Sequence, residues 1–326
     1  MNPTELARDL MERFAERTGL TSREPQRRYL WTDAFAVGNF LALGQRDFAL
    51  VLVDRVHHVL GRHRDDDPRR GWISGLSEAE GEAHPTAGGL RIGKPLPERA
   101  PGEPFLEHLE WERDGQYFHY LTKWMVALEG IGAVAWAREL AEVARARFVR
   151  DGRMVWKMSI DLSRPQVATM GHHDPLEGYV TALELGVPAS DYRAMIDPRA
   201  LATADPLGIG GLLVDAHRLG DRDPALRRAM LEAARTGLAM YTPERTIPAS
   251  RRLGFRELGL VIGLCAEPLD AALRNELLDF WSDPVSRAAR TWREHQDIND
   301  VMLATALVKT ENPAVAGLSV RGATQI

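Results

Sequence analysis

The chain has 326 residues, of which 44% are hydrophobic, enough for a sizeable core in one large domain or two ordinary ones. The formal net charge of -5, without any cluster of basic residues, argues against nucleic acid or an anionic membrane surface as a partner. The single cysteine, Cys265, excludes an intrachain disulfide, and no uncharged run approaches the length of a membrane span.

The N-terminal residues open a charged amphipathic helix rather than an apolar signal sequence. Together with the lone cysteine, this start predicts a cytoplasmic protein. We expect a small-molecule substrate as its partner and neither nucleic acid nor membrane. Composition leaves both a monomer and a homodimer open.

Hydrophobic periodicity predicts twelve helices of two kinds. Six have one apolar stripe and an opposite charged face, as surface helices do; they cover residues 3–17, 47–63, 133–148, 189–196, 224–240 and 269–281. Six are apolar nearly all round, as buried helices are; they cover residues 29–43, 116–128, 175–185, 206–219, 253–264 and 294–307. The two kinds alternate along the chain.

This alternation predicts an all-α protein in which six outer and six inner helices form a double ring, the (α/α)6 barrel. Strand signals are scarce, and residues 153–160 predict one short β-hairpin as a decoration. We expect a single barrel domain over residues 1–308 and an extended or disordered tail over residues 309–326.

The connection over residues 64–113 is far longer than an ordinary loop. Apolar residues recur in it at Trp72, Ile73, Leu76, Leu90 and Ile92. They predict that this segment packs on the domain as a lid instead of forming a free linker.

Polar and aromatic residues gather where the inner helices begin, which in a ring is one end, the barrel mouth. Asp33 lies among Trp31, Phe35 and Val37. Such an apolar setting raises the pKa of a carboxyl group and suits a general acid. An ion pair with an arginine just before the helix would explain Asp33 equally well.

Glycoside hydrolysis needs a second carboxyl group on the other side of the bond. Glu112, Asp114 or Asp174 would supply it at the mouth. Because aspartates before helices commonly cap free backbone amides, capping is an alternative interpretation of Asp174.

One inner helix carries an isolated polar stripe. Gln116, His119 and Lys123 recur at i, i+3 and i+7, which places them on one helical face. We expect Gln116 and His119 to contact substrate and Lys123 to pair with a carboxylate. His119, together with His173 and His295 on other inner helices, would suit the proton transfers of sugar isomerisation or epimerisation.

A second buried helix carries Arg252 and Arg256 four residues apart, beside Glu257. Such arginines need either internal carboxylates or an anionic substrate group. Gly259 and Gly263 continue their stripe and are expected to leave room for a ligand.

The pattern of twelve alternating helices resembles the six-hairpin glycosidase superfamily, which includes unsaturated glucuronyl hydrolases and N-acylglucosamine 2-epimerase-like isomerases. Two helix starts carry the resemblance, Trp31-Thr32-Asp33 and Asp114-Gly115-Gln116-Tyr117-Phe118-His119-Tyr120. It covers about residues 3–308 and implies an (α/α)6 barrel with a sugar-like ligand in its mouth.

We therefore predict a carbohydrate-active enzyme, favour glycoside hydrolysis, and expect the substrate to be sugar-like and acidic if the arginine pair binds it. The candidate catalytic residues are Asp33, Glu112, Asp114, His173 and Asp174. The candidate substrate-binding residues are Trp31, Gln116, Tyr117, His119, Arg252, Arg256, Glu257, Trp292 and His295.

Three alternatives stay open: a sugar isomerase or epimerase that uses the histidines, a biosynthetic enzyme acting on a non-carbohydrate acidic metabolite, and a non-catalytic ring that binds a ligand or a partner. We predict neither a cofactor nor a metal. His172, His173 and Asp174 are adjacent instead of spaced to share a helical face, and the cysteines of a closed zinc site are missing.

Overall fold

The computed structural model describes residues 2–167, 171, 173–241 and 247–311. Over these residues the chain is mostly helical, which confirms the all-α prediction. The α-helices are α1 Pro3–Arg17, α2 Leu30–Ala42, α3 Arg46–Leu60, α4 Glu78–Ala83, α5 Glu107–Glu110, α6 Phe118–Ile131, α7 Val134–Phe148, α8 Asp174–Leu185, α9 Ser190–Met195, α10 Pro206–Leu219, α11 Pro224–Met240, α12 Gly254–Ala266, α13 Ala271–Ser282, α14 Pro284–Arg287, α15 Arg290–Glu294 and α16 Gln296–Glu311.

All twelve predicted helices are present, and α1, α10 and α11 begin and end at the predicted residues. The two kinds of helix also differ in burial as predicted. In α12, 11 of 13 residues are buried, whereas in α11 only 5 of 17 are. The short helices α4, α5, α14 and α15 were not predicted, because four to six residues seldom show a clear hydrophobic period, although the equally short α9 was predicted.

The chain divides into two compact units. The α10–α16 unit comprises Met1–Ala15, Gly38–Gln45 and Asp197–Ile326, and the α3–α9 unit comprises Glu16–Val37 and Arg46–Ile196. In the α10–α16 unit, α12 packs against α10, α13 and α16. In the α3–α9 unit, α6 packs against α3, α7 and α8. The single-domain barrel stays a prediction.

The glycines of α12 do not leave room for a ligand. A Cβ atom on Gly259 would lie 2.5 Å from the side chain of Leu207, and one on Gly263 would lie 2.6 Å from the Cα atom of Gly210. These glycines let α10 and α12 approach closely. The space that the sequence suggested is filled by the facing helix.

Five short strands form two small antiparallel sheets in the described part of the α3–α9 unit. Strands β1 (Gln116–Tyr117), β4 (Lys157–Met158) and β5 (Pro165–Val167) form one in the order β1-β4-β5. Strand β2 (Val149–Arg150) pairs with β3 (Arg153–Met154) in the other. The predicted hairpin over residues 153–160 is thus split between two sheets.

The start of α6 also differs from the prediction. Gln116 pairs with Met158 in β1, and the helix begins only at Phe118. Gly115 precedes the strand at φ 149°, and a Cβ atom there would lie 2.7 Å from the carbonyl oxygen of Met158. Only glycine at position 115 allows β1 to approach β4 this closely. As a result Gln116 belongs to β1 and not to α6.

The long segment over residues 64–113 is ordered and packed. It contains α4 and α5, and four of its five predicted apolar anchors, Trp72, Ile73, Leu90 and Ile92, are buried. The fifth, Leu76, is partly exposed. Whether it covers a binding site stays a prediction.

At the C-terminal end, α16 continues as far as Glu311, so the predicted tail does not begin at residue 309. The rest of that predicted tail, residues 312–326, lies outside the described residues. None of the helices in the described ranges has the length and apolar character needed to cross a membrane.

Candidate functional site

Asp33, the predicted general acid, is held in a structural ion pair in the first turn of α2. Its Oδ1 lies 3.3 Å from Nη1 of Arg28, and its Oδ2 accepts a hydrogen bond from the backbone N–H of Tyr29 at 3.0 Å. The residue is 1% exposed. This pairing with an arginine just before the helix favours a structural role over contact with substrate.

Asp114 binds the long segment to the start of β1. Its carboxylate accepts hydrogen bonds from Nη1 of Arg91 at 2.6 Å, from Nη1 of Arg64 at 3.2 Å, and from the backbone N–H of Gly93 at 3.0 Å. The side chain is fully buried. Both oxygens of the carboxylate therefore already accept hydrogen bonds from protein donors, which favours a structural role for Asp114.

Gln116 has a similar anchoring role. Its Oε1 accepts from the N–H of Leu90 at 2.8 Å, and its Nε2 donates to the carbonyl oxygens of Gly88 at 2.9 Å and Ile160 at 2.6 Å. All its strong hydrogen-bonding groups are engaged, which leaves little for a substrate. Glu112, by contrast, is exposed.

The candidate arginines of the α10–α16 unit have their hydrogen-bond and ion-pair partners within that unit. Arg252 donates from Nη2 to Oε2 of Glu257 at 2.6 Å, and the indole N–H of Trp281 donates to the same oxygen at 2.7 Å. Arg256 forms an ion pair with Asp205. Internal ion pairing therefore accounts for both arginines.

The aromatic candidates Trp31 and Trp292 are buried. Trp31 packs on Phe35 with 4.6 Å between ring centroids. Trp292 donates its indole N–H to Oδ1 of Asp300 at 3.1 Å. His295 is exposed at the end of α15.

Four titratable side chains meet where α6 and α8 pack together, and we call them the acid–base cluster: His119, Lys123, Asp174 and Glu177. His119 and Lys123 lie four residues apart on one face of α6, and Asp174 and Glu177 lie three apart on one face of α8. Lys123 forms a close ion pair with Glu177, and Nδ1 of His119 lies 3.7 Å from Oε2 of Glu177. Lys123 thus pairs with a carboxylate, as predicted.

The two carboxyl groups of the cluster have pKa values shifted in opposite directions. Burial raises the pKa of Asp174; the nearby imidazole of His119 opposes that rise and the carboxylate of Glu177 adds to it. Burial alone would also raise the pKa of Glu177, but the charges of Lys123 and His119 outweigh it, and the pKa falls below its ordinary value. One group is thus biased towards the protonated form and the other towards the ionised form.

Local backbone structure places Asp174. It is the first residue of α8, with Pro175 next in the first turn and His173 before the helix. The backbone N–H of Gly171 donates to its carboxylate, and a Cβ atom on Gly171 would lie 2.5 Å from Asp174 Oδ2. His173 is partly exposed beside it, and His172 lies outside the described residues.

The cluster is partly open and borders on tyrosines. The side chain of His119 is 38% exposed, and its ring centroid lies 5.2 Å from that of Tyr120. The hydroxyls of Tyr120 and Tyr29 are hydrogen-bonded at 2.6 Å. Burial raises the pKa of Tyr29 to about 12 and that of Tyr120 well above its ordinary value, so both phenols stay protonated at neutral pH.

A separate cleft of about 540 Å³ lies between the long segment and the turn before β5. Most of its charged residues are paired with each other: Arg69 contacts Asp67 at 2.8 Å, Asp161 at 2.9 Å and Glu98 at 3.3 Å. The cleft therefore holds an ion-pair network that ties the segment to the turn.

Of the predicted catalytic residues, the structure brings Asp174 into the acid–base cluster with His173 next to it, and places Asp33 and Asp114 in buried networks of ion pairs and hydrogen bonds. Glu177 was not predicted. Its signal in the sequence was a carboxylate three residues after Asp174, in the first turn of a helix that is mostly apolar. Within the described ranges, no group of three or more histidine, cysteine, aspartate or glutamate residues is arranged to hold a metal ion.

Comparison of the chain with known proteins finds no matching family model, no matching curated protein and no matching solved structure.

Proposed function

We propose that the α3–α9 unit carries the active site of a carbohydrate-active enzyme that hydrolyses a glycosidic bond with Asp174 and Glu177. The opposite pKa shifts of these two neighbouring carboxyl groups carry the proposal. Glycoside hydrolysis needs one protonated and one ionised carboxyl group at the same bond. The proposal keeps Asp174 from the sequence prediction and replaces Asp33 with Glu177.

In the proposed reaction Asp174 donates its proton to the leaving glycosidic oxygen, which needs a carboxyl group that is still protonated near neutral pH. Glu177 acts as the ionised partner, either as a base towards water or as a nucleophile towards the sugar. Lys123 keeps Glu177 ionised and fixes its orientation. His119 is the most exposed member, and this exposure supports a contact with the substrate.

The (α/α)6 barrel belongs to the same proposal. The twelve predicted helices and the alternation of buried and exposed helices support it. So does the resemblance of the helix pattern to the six-hairpin glycosidases.

The test uses a panel of oligosaccharides, whose sugar leaving groups need protonation, and measures kcat/KM of the purified full chain by the release of reducing ends. We expect Asp174→Asn and Glu177→Gln each to lower kcat/KM by roughly 10²- to 10⁴-fold, the range of general acid–base catalysis. Asp33→Asn should lower the free energy of unfolding, because it weakens a buried ion pair, while kcat remains.

Glu142→Gln, on the exposed face of α7, serves as the surface control and should change neither quantity. Retention of most activity in Asp174→Asn, or loss of kcat in a folded Asp33→Asn, would overturn the assignment.

Sugar isomerisation is a second candidate, favoured by one observation: Nδ1 of His119 lies 3.7 Å from Oε2 of Glu177. This is longer than a hydrogen bond, but acid–base pairs are often this long without substrate and tighten when it binds. In that case the panel would show no cleavage, reducing sugars would interconvert, and His119→Ala would abolish the interconversion. Cleavage that persists in His119→Ala would exclude this candidate.

A further inference from the structure

An unbroken row of aromatic rings leads from the surface to the acid–base cluster. Trp111 contacts Trp156 with 5.5 Å between ring centroids, Trp156 contacts Tyr117 at 4.9 Å, and Tyr117 contacts Tyr120 at 5.0 Å. Tyr120 contacts Tyr29 at 5.5 Å and His119 at 5.2 Å. We call Trp111, Trp156, Tyr117, Tyr120 and Tyr29 the aromatic row.

Exposure changes along this row. Trp111 is 52% exposed at the end of α5, Trp156, Tyr120 and Tyr29 are partly exposed, and Tyr117 is 5% exposed. Phe105 and Leu106, just before α5, are also exposed. A cluster of exposed large apolar side chains is unusual on a protein that does not use it for binding.

Apart from Lys94, whose Nζ lies 5.5 Å from the ring centroid of Tyr29, the charges around the row argue against a polyanion. Proteins that stack single-stranded nucleic acid combine aromatic rings with a positively charged groove. Here Lys157, 5.4 Å from the ring centroid of Tyr117, is paired with Glu110 at 2.8 Å. Arg113 is paired with Glu103, and exposed Glu112 adds a negative charge next to Trp111.

We propose that the exposed and partly exposed rings of the aromatic row, Trp111 and Trp156 at its outer end and Tyr120 and Tyr29 beside the acid–base cluster, bind an uncharged oligosaccharide whose reacting end lies at the cluster. Rings with an apolar face and a polar edge suit the C–H faces and hydroxyls of sugars. Tyr117 is buried and contacts Trp156 and Tyr120, so it links the outer and inner rings without itself being open to a ligand. This inference rests on the proposed function and narrows its substrate from sugars in general to neutral glycan chains.

The test measures binding by isothermal titration calorimetry on the full chain carrying Glu177→Gln, so that no ligand is consumed. The probes are neutral oligosaccharides of glucose, mannose and xylose, from disaccharide to hexasaccharide, with a heparin hexasaccharide and oligo(dT) as polyanions. We expect affinity for one neutral series to rise with chain length. Adding Trp111→Ala should weaken binding of its hexasaccharide about tenfold, by loss of one stacked ring, and leave the disaccharide unchanged.

Trp111→Phe keeps an aromatic face and should retain most of the affinity. Val285→Ala, an exposed apolar residue of the other unit, is the matched control and should change nothing. The inference is overturned if no neutral glycan binds, if affinity does not depend on chain length, if Trp111→Ala binds the hexasaccharide unchanged, or if the polyanions bind better.

The result of this binding test is independent of the result of the activity test of the proposed function. Hydrolysis that depends on Asp174 and Glu177, combined with unchanged binding in Trp111→Ala, would remove the aromatic row alone. Chain-length-dependent binding that needs Trp111, without any hydrolysis by the wild type, would leave a glycan-binding surface and remove the catalytic proposal.

Discussion

Asp174 and Glu177 lie three residues apart on α8, yet their surroundings shift their pKa values in opposite directions. The difference comes from α6, because Lys123 forms its ion pair with Glu177. A sequence shows that such residues exist on two helices but not which faces meet. For this reason Asp174 could be predicted from its place at a helix start, whereas Glu177 could not.

For Asp33 the sequence offered two interpretations. Its apolar neighbours suggested a raised pKa, but the deciding feature is Arg28, five residues earlier. A helical pattern places residues on faces and does not tell whether a preceding arginine folds back. The sequence could therefore offer both interpretations of Asp33 without choosing between them.

The role of Gln116 as an anchor can be tested at Gly89. This glycine has φ 69°, and a Cβ atom there would lie 2.0 Å from Oε1 of Gln116. Gly75 in the same segment has φ 76° with no atom within 4 Å of the added Cβ, so it is the matched control. Gly75→Ala should cost about 1–2 kcal/mol of unfolding free energy from backbone strain alone.

Gly89→Ala should cost about 1–3 kcal/mol more than the control, because the Gln116 side chain must leave its buried hydrogen bonds. Urea unfolding of both variants gives the comparison. Equal losses in the two variants would show that Gln116 does not anchor the segment.

At the scale of elements, the periodicity of apolar residues predicted the positions of the main helices well, because most of these helices have enough turns to show which face is buried. It failed where a few residues set the local structure. Gln116 and Tyr117 continue the pattern of α6, but the requirement for glycine at position 115 and pairing with β4 turn them into a strand. Such contacts between distant segments leave no periodic signal in the sequence.

The close contact of α10 and α12 makes a prediction about two adjacent glycines of α10. A Cβ atom on Gly210 would lie 2.1 Å from the carbonyl oxygen of Gly259, whereas one on Gly211 would meet no atom within 4 Å. Gly210→Ala should therefore destabilise the protein by about 1–3 kcal/mol through overpacking. Gly211→Ala should be neutral or stabilise it by up to about 1 kcal/mol, since alanine favours helix.

Thermal or urea unfolding of the two variants measures the difference directly. If Gly210→Ala proved as stable as Gly211→Ala, the close helix contact would be wrong.

At the scale of the whole molecule, composition and period predicted the helix class and the number of main helices. They could not predict the division into two units, because which helices pack together depends on side chains far apart in the chain. The long segment over residues 64–113 illustrates this: its buried anchors were predictable, but its ties to Asp114 and Gln116 were not.

Global stability should depend on pH through His57, which is buried in the α3–α9 unit and accepts a hydrogen bond from Trp124 at 3.2 Å. Burial lowers its pKa to about 3. Above about pH 6.5 the histidine is neutral in both the folded and the unfolded state. Between pH 6.5 and about 3 only the unfolded state takes up the proton, so the free energy of unfolding falls as pH falls, by at most about 1.4 kcal/mol per pH unit.

Urea unfolding between about pH 7.5 and 5 measures this slope for the wild type and for His57→Gln, which keeps a hydrogen-bond acceptor but cannot titrate. The variant should lose less stability than the wild type over that range. Parallel slopes would mean that His57 is not held neutral in the folded protein.

The central claim is that Asp174 and Glu177 form an acid and base with separated pKa values. Its most direct test is an NMR titration of ¹³C-labelled side-chain carboxyl groups in the full chain, with the two signals assigned through Asp174→Asn and Glu177→Gln. We predict that Asp174 titrates above the ordinary range of aspartate and Glu177 below that of glutamate, and that Lys123→Met raises the pKa of Glu177. Ordinary pKa values for both groups, or Glu177 titrating above Asp174, would contradict the claim.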